Sequence, residues 1–392
     1  MKRVYLDWAA STPVEEKVLE EMLHFFNVEF GNPSSLHLWG QKALIAVDKA
    51  RLTFKELLGA NELKEIIFTS SATEANNMVL KGITWYFLLK KKIKPHIIST
   101  TIEHESIAET LEELKKLELA EVDFVSPSKE GIINPNDIVS LIKENTVLVS
   151  VIYVQNVIGT IQPIGIIGQK LKEINEERKL KNLPVVYFHT DAAQAELTEN
   201  LNVEFLNVDL MTLSSHKIYG PKGSAVLYKN TKVELLPLLS GPGQEFGLRS
   251  STENVPAIYG FAKAFSLFYP KREENKIYFK KLQNYLYEGI KKIYPKVEVN
   301  GSLNQNSGKI LNLYFPDILA QELLIKLDME GIGVSISSAC SVRAAQPDKI
   351  ILALGYDKYR AERSIRFSFG LKNNFDDLDY TLSVLKKILK IY

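Results

Sequence analysis

Between residues 60 and 230, short apolar runs alternate with longer stretches whose apolar positions recur at helical spacing. EIIFTS (65–70), HIIST (96–100), VDFVS (122–126), TVLVSVIYV (146–154), VVYFHT (185–190), LMTLSS (210–215) and SAVLYK (224–229) read as strands, and TVLVSVIYV, short and rich in β-branched residues, fits a buried one. TEANNMVLKGITWYFLL (73–89) and IGQKLKEINEERKLK (167–181) carry the helical pattern between them. Such alternation predicts βαβ units around a mostly parallel sheet, an α/β fold. SGPGQEFGLRSS (240–251), rich in glycine, breaks the pattern and reads as an ordered loop. Beyond it lie one long helical region (about 256–293), a strand at KILNLYF (309–315), a helix near 319–330, strands at VSIS (334–337) and SIRFSFG (364–370), and a final helix. This mixture predicts a smaller α+β domain. The expected division is a large domain over 15–255, and a small one over 256–392 joined by residues 1–14.

A chain of 392 residues is long enough for two domains. Its 45% hydrophobic and 24% charged content is that of an ordinary globular protein. A net charge of +1 gives no general attraction to nucleic acid or to an anionic membrane. No apolar run approaches the roughly 20 residues that span a bilayer. MKRVYLDWAA meets Asp7 before any long apolar region, unlike a signal peptide, so a cytoplasmic protein is expected. No residue pattern resembles a zinc site, and the single cysteine, Cys340 in SISSACSVRAAQP, cannot close an intrachain disulfide.

In an open parallel sheet, ligands sit beyond the carboxyl ends of the strands. Those ends carry Ser71-Ala72-Thr73, Glu103-His104, Gln155-Asn156, Asp191 with Gln194, and Ser215-His216-Lys217. Small hydroxyl residues opening a helix at 70–73 suit a phosphate, and equally suit a helix cap. Asp191 suits a pyridinium nitrogen or a cap before AAQA. Lys217 suits a Schiff base with an aldehyde or a surface charge, with Lys222 a nearby alternative. The conjunction of phosphate cradle, carboxylate and lysine is the equipment of pyridoxal phosphate sites.

SSHKIYGPKG (214–223), HTDAAQ (189–194), SATE (71–74), EH (103–104) and GQEFGLRSSTEN (243–254) resemble the NifS/IscS cysteine desulfurases, which are fold-type I pyridoxal phosphate enzymes of the class-V aminotransferase group. The likeness runs from VYLDWAA (4–10) and GNPSSLH (31–37) to SIRFSFG and the last helix. It implies that Lys217 forms the Schiff base, Asp191 holds the pyridine nitrogen and His104 stacks on the ring. Gln194 and Asn156 would bond near the ring hydroxyl. Ala72, Thr73, Ser214 and His216 would hold the phosphate, with Thr252 from a second subunit of a homodimer. Arg366 would bind the carboxylate of L-cysteine, with Asn32 and Asn156. Cys340 would take the sulfur as a persulfide, leaving alanine, and pass it to an acceptor protein serving iron–sulfur cluster assembly or thiolation.

The chain departs from the family pattern at Trp8, Ser71, Val157, Ser215, Ile336 and Ser337. Rival readings are a selenocysteine lyase or another class-V aminotransferase-fold enzyme, and, more remotely, a non-catalytic assembly scaffold.

Overall fold

The computed structural model describes residues 2–336 and 348–390. Its twelve strands are β1 (Val4–Tyr5), β2 (Ile66–Thr69), β3 (His96–Thr100), β4 (Glu121–Val125), β5 (Thr146–Ile152), β6 (Tyr187–Asp191), β7 (Leu210–Ser214), β8 (Ala225–Lys229), β9 (Glu298–Asn300), β10 (Ile310–Tyr314), β11 (Ile332–Gly333) and β12 (Ser364–Ser368). Seven of them form one sheet in the order β2-β8-β7-β6-β5-β3-β4. Only β8 runs antiparallel to its neighbours, at the β2 and β7 pairings. Every residue of β3, β5, β6 and β7 is buried, as expected for parallel strands covered on both faces. That double burial is why their sequences read as continuous apolar runs.

Strand β4 pairs on one side of β3, and β5, next in the chain, pairs on the other. The chain therefore reverses its direction of travel across the sheet at β3 and β5. A crevice at the carboxyl ends of these strands is where an α/β fold binds ligand.

A second, antiparallel sheet has the order β12-β10-β9, and β1 pairs in parallel with β11. The predicted VSIS strand is displaced: the paired residues are Ile332–Gly333, and Ser335 contributes only an isolated bridge to Arg366. The expected long helix is divided into Val255–Phe268 and Arg272–Ile293 around a tight turn at Tyr269–Lys271. Pro270 explains the break, because it lacks an amide donor and its ring clashes with the carbonyl one turn back. Helix Val255–Phe268 packs against Glu16–Asn27 and Leu38–Leu58.

Loop 240–251 is pinned from beneath. The Arg51 guanidinium makes two 2.9 Å bonds to the Glu245 carboxylate, both groups being buried. Glu245 also accepts from the Phe68 amide at 2.9 Å, and Arg51 donates to the Ile66 carbonyl. Removing one partner of a buried pair strands the other charge. Arg51→Ala is therefore expected to cost about 3–5 kcal/mol of stability, read by chemical denaturation; a loss under about 1 kcal/mol would show that water reaches Glu245.

Candidate active site

A cavity of about 430 Å³ opens at the carboxyl ends of the central strands. Small-molecule and cofactor sites occupy roughly 300–1,000 Å³. The polar groups on its wall come from separate strand ends: His104 beyond β3, Asn156 beyond β5, Asp191 and Gln194 at β6, and Ser214, His216 and Lys217 at β7. Ala72, Thr73 and Arg366 complete it, with Lys222 also on the wall. Residues as far apart in sequence as Ala9 and Arg366 thus meet at one cavity.

Asp191 ends β6 and is buried. Its Oδ2 accepts from Asn76 Nδ2 at 2.8 Å and its Oδ1 from the Ala193 amide at 3.0 Å. Both carboxylate oxygens thus act as hydrogen-bond acceptors. Asn76 also donates to Ser106 Oγ at 2.8 Å, and Ser106 Oγ lies 2.9 Å from His104 Nδ1. A hydrogen-bonded chain therefore joins Asp191 to His104. The Ser106 amide donates to His104 Nδ1 at 3.1 Å, which leaves the proton of the neutral ring on Nε2.

Lys217 closes the tight turn Ser215–Lys217 after β7. Its Nζ donates to the carbonyls of Ala9 and Ala10 at 2.7 and 2.8 Å. Burial and the neighbouring Lys217, Lys222 and Lys309 push His216 down to about 3, so its imidazole is neutral. Helix Ala72–Tyr86 starts at the cavity, where its first amides have no helical partner. Ser71 is the N-cap, its Oγ accepting from Glu74 N at 3.1 Å. Glu74 turns away to Arg249, 2.8 Å distant, tying the helix to loop 240–251.

Arg366, buried in β12, donates to Asp7 Oδ1 at 2.7 Å and to the Asn156 carbonyl at 2.8 Å. Its Nε has no partner among the described residues. The nearby acid in sequence, Glu362, pairs instead with Lys358. Two further buried groups brace the wall. Glu103 accepts from Thr100 Oγ1 at 2.7 Å and from the Ile152 amide at 2.9 Å, strapping β3 to β5, and burial raises it to about 8. Gln155 folds back on its own loop, accepting from the amides of Val157 and Ile158.

Two departures from the family pattern have structural explanations. Val157 is buried in the core, and the Trp8 ring covers Gly370 so closely that a Cβ there would meet it at 2.1 Å. Asn32 and Thr252 do not line the main cavity. Both line a separate surface pocket beside Phe25 and Phe30, and Asn32 Oδ1 accepts from Ser34 N within a turn. Cys340 lies outside the described residues. Asn76, Asp7, Lys309 and Glu196 are site-associated residues that sequence reading missed.

The residues present fit pyridoxal phosphate. The cavity wall carries the buried Asp191 carboxylate together with the start of helix Ala72–Tyr86, Ser214 and His216. Ser224 Oγ, buried at that wall, has no partner among the described residues and is available to a phosphate oxygen.

The model of the aminotransferase class-V family matches residues 4–381, and the chain belongs to this family of pyridoxal phosphate enzymes. Cysteine desulfurase IscS of Clostridium botulinum is 40% identical over 391 residues, covering 99% of this chain and 95% of that protein. A solved NifS-like protein matches with a TM-score of 0.91 at 33% identity, covering all of both chains. The structure of SspA in complex with cysteine matches with a TM-score of 0.80 at 32% identity, covering 93% of this chain and 98% of that one. Within the family, the chain falls among the NifS/IscS-like cysteine desulfurases.

Proposed function

We infer that the protein is a pyridoxal phosphate-dependent cysteine desulfurase, converting L-cysteine to L-alanine. The observation that carries this reading is the meeting of Lys217, Asp191 and Arg366 in one cavity with the start of helix Ala72–Tyr86. When bound, the cofactor supplies an aldehyde for amines and a ring that draws electrons from the substrate's Cα. Asp191 pairs with the protonated ring nitrogen, held in place by Asn76. Gln194 and Asn156 would hold the ring on its hydroxyl side, and His104 would stack against it. The amine of Lys217 takes the Cα proton, and His104 Nε2 is a second station for a proton over the cavity.

Arg366 binds the substrate carboxylate through a guanidinium already aimed by Asp7. Lysine cannot reproduce that planar fork. Arg366→Lys is expected to raise KM for cysteine by about 10- to 100-fold with a smaller change in kcat and unchanged cofactor absorbance. A KM like that of the wild type would remove Arg366 from substrate binding.

Cys340 receives the sulfur. The Ser335 amide, five positions before Cys340, donates to the Arg366 carbonyl at 3.1 Å. The five-residue tether from Ser335 spans at most about 17 Å. An unperturbed thiol, with a pKa of about 8.5, supplies some thiolate at neutral pH. The thiolate attacks the substrate sulfur; an S–S bond forms and the C–S bond breaks. The electron pair stays on carbon, which takes a proton and yields alanine.

We further propose a homodimer. Leu23, Phe26, Phe30, Leu36, Leu38 and Trp39 are exposed around helix Glu16–Asn27 and the start of Leu38–Leu58, an apolar patch typical of an interface. Thr252 and Asn32 flank this surface and would reach the site of the second copy. The proposal also includes the division into domains 15–255 and 256–392 with 1–14, a cytoplasmic location, and a sulfur-acceptor protein in iron–sulfur assembly or thiolation. Among the described residues, no helix is long and apolar enough to cross a membrane. The test of the reaction is incubation of the loaded protein with L-cysteine or L-selenocysteine. Alanine formed from cysteine supports desulfuration; alanine from selenocysteine alone supports the lyase reading.

A further inference from the structure

Lys309 has no part in the reaction described above, yet it stands directly behind the site. It opens the stretch that leads into β10 and is 1% exposed. Its Nζ lies 3.4 Å from the Lys217 carbonyl and 3.4 Å from Gln194 Oε1. Gln194 in turn donates through Nε2 to the Ala9 carbonyl at 2.8 Å, the same oxygen that receives Lys217 Nζ. The buried amine is thus hydrogen-bonded to the residue that carries the cofactor and to its neighbour on the wall.

We propose that Lys309 is a positioning residue that sets the protonation of Lys217, a proton on either of the two amines disfavouring a proton on the other. It also fixes the Gln194 amide with its oxygen turned inward. This rests on the reading of Lys217 as the cofactor's lysine.

The charged and titratable groups facing Lys309 are Lys217 beyond β7, Glu196 beyond β6 and Arg366 on β12. Glu196 is buried; its Oε1 accepts from Ser214 N at 2.5 Å, while Oε2 has no partner among the described residues. Burial and the Lys217 charge lower Lys309 to about 7, whereas burial raises Glu196 well above the usual carboxylate range. The two amines belong to one hydrogen-bonded group through Gln194 and the Ala9 carbonyl, and a proton on either disfavours a proton on the other. A lysine must be uncharged to react with an aldehyde, and a neighbouring cation is one way to keep it so.

The test is a pH titration of the visible absorbance of the cofactor-loaded protein. Lys309→Met and Lys309→Gln are each expected to move the titration midpoint up by about one pH unit, because a repelling charge is lost. Lys309→Gln retains hydrogen-bond donors to Gln194 and the Lys217 carbonyl, so it separates charge from packing and serves if the methionine variant does not fold. Lys309→Arg keeps the charge and is expected to keep the wild-type midpoint. An unmoved midpoint in a folded, charge-removing variant would overturn the proposal, as would an equal shift in Lys309→Arg. Failure of the Lys217 assignment is distinguishable, because Lys217→Ala would then retain the wild-type band.

Discussion

Lys217→Ala protein is expected to purify without the absorbance of a covalently held cofactor and to lose turnover by about 10⁴- to 10⁶-fold, as when a covalent nucleophile is removed. Two losses coincide in that variant. The cofactor loses its covalent anchor, and the Cα proton loses the base that takes it. The phosphate cradle at Ala72, Thr73 and His216 remains, as does Asp191. The variant should therefore still bind pyridoxal phosphate reversibly, and added amines should restore part of the activity. Denaturation should show a near-native fold, since Lys217 Nζ donates to the carbonyls of Ala9 and Ala10, which lie at the cavity. Full retention of the chromophore would transfer the role to another lysine, with Lys222 on the same wall the first to examine.

Cys340→Ala should behave in the opposite way. Cofactor absorbance and cysteine binding should persist, because the groups that hold them belong to strand ends and to Arg366. Alanine formation from cysteine should fall by about 10³-fold or more, since nothing is left to accept the sulfur. Spectral changes on adding cysteine would then appear without turnover. Wild-type rates in this variant would exclude Cys340 as the acceptor.

The central strands β3, β5, β6 and β7 were legible because both of their faces are buried, which forces continuous apolar runs such as TVLVSVIYV. The site was legible for a related reason. Ligands gather beyond strand ends, so Asp191, Asn156, His104 and Lys217 stood out by their positions immediately after those runs. What sequence spacing hid was chiefly long-range pairing. Arg366 pairs with Asp7, 359 positions away, and not with Glu362 close by in sequence, which pairs with Lys358. Asn76 looked like one polar residue in an amphipathic helix, and only the fold turns it toward Asp191. Lys309 read as the start of a strand in a lysine-rich chain, because burial of a lysine leaves no local trace.

The division of the long helical region was visible in principle at Pro270, but helical periodicity persists on both sides and masked it. VSIS has the composition of a strand, whereas the ladder with β1 is made two residues earlier at Ile332–Gly333. Asn32 shows the converse: a residue before proline is a turn former, and in this chain it bonds within its own turn.

The central claim is that sulfur leaves cysteine at this cavity and lands on Cys340. The most direct test is intact-protein and peptide mass analysis of the cofactor-loaded enzyme after brief exposure to L-cysteine without added reductant. The account predicts that the peptide containing Cys340 gains the mass of one sulfur atom, that a reductant removes it, and that alanine appears in equal amount. Alanine formed with no added sulfur on that peptide, or no alanine at all, would contradict it.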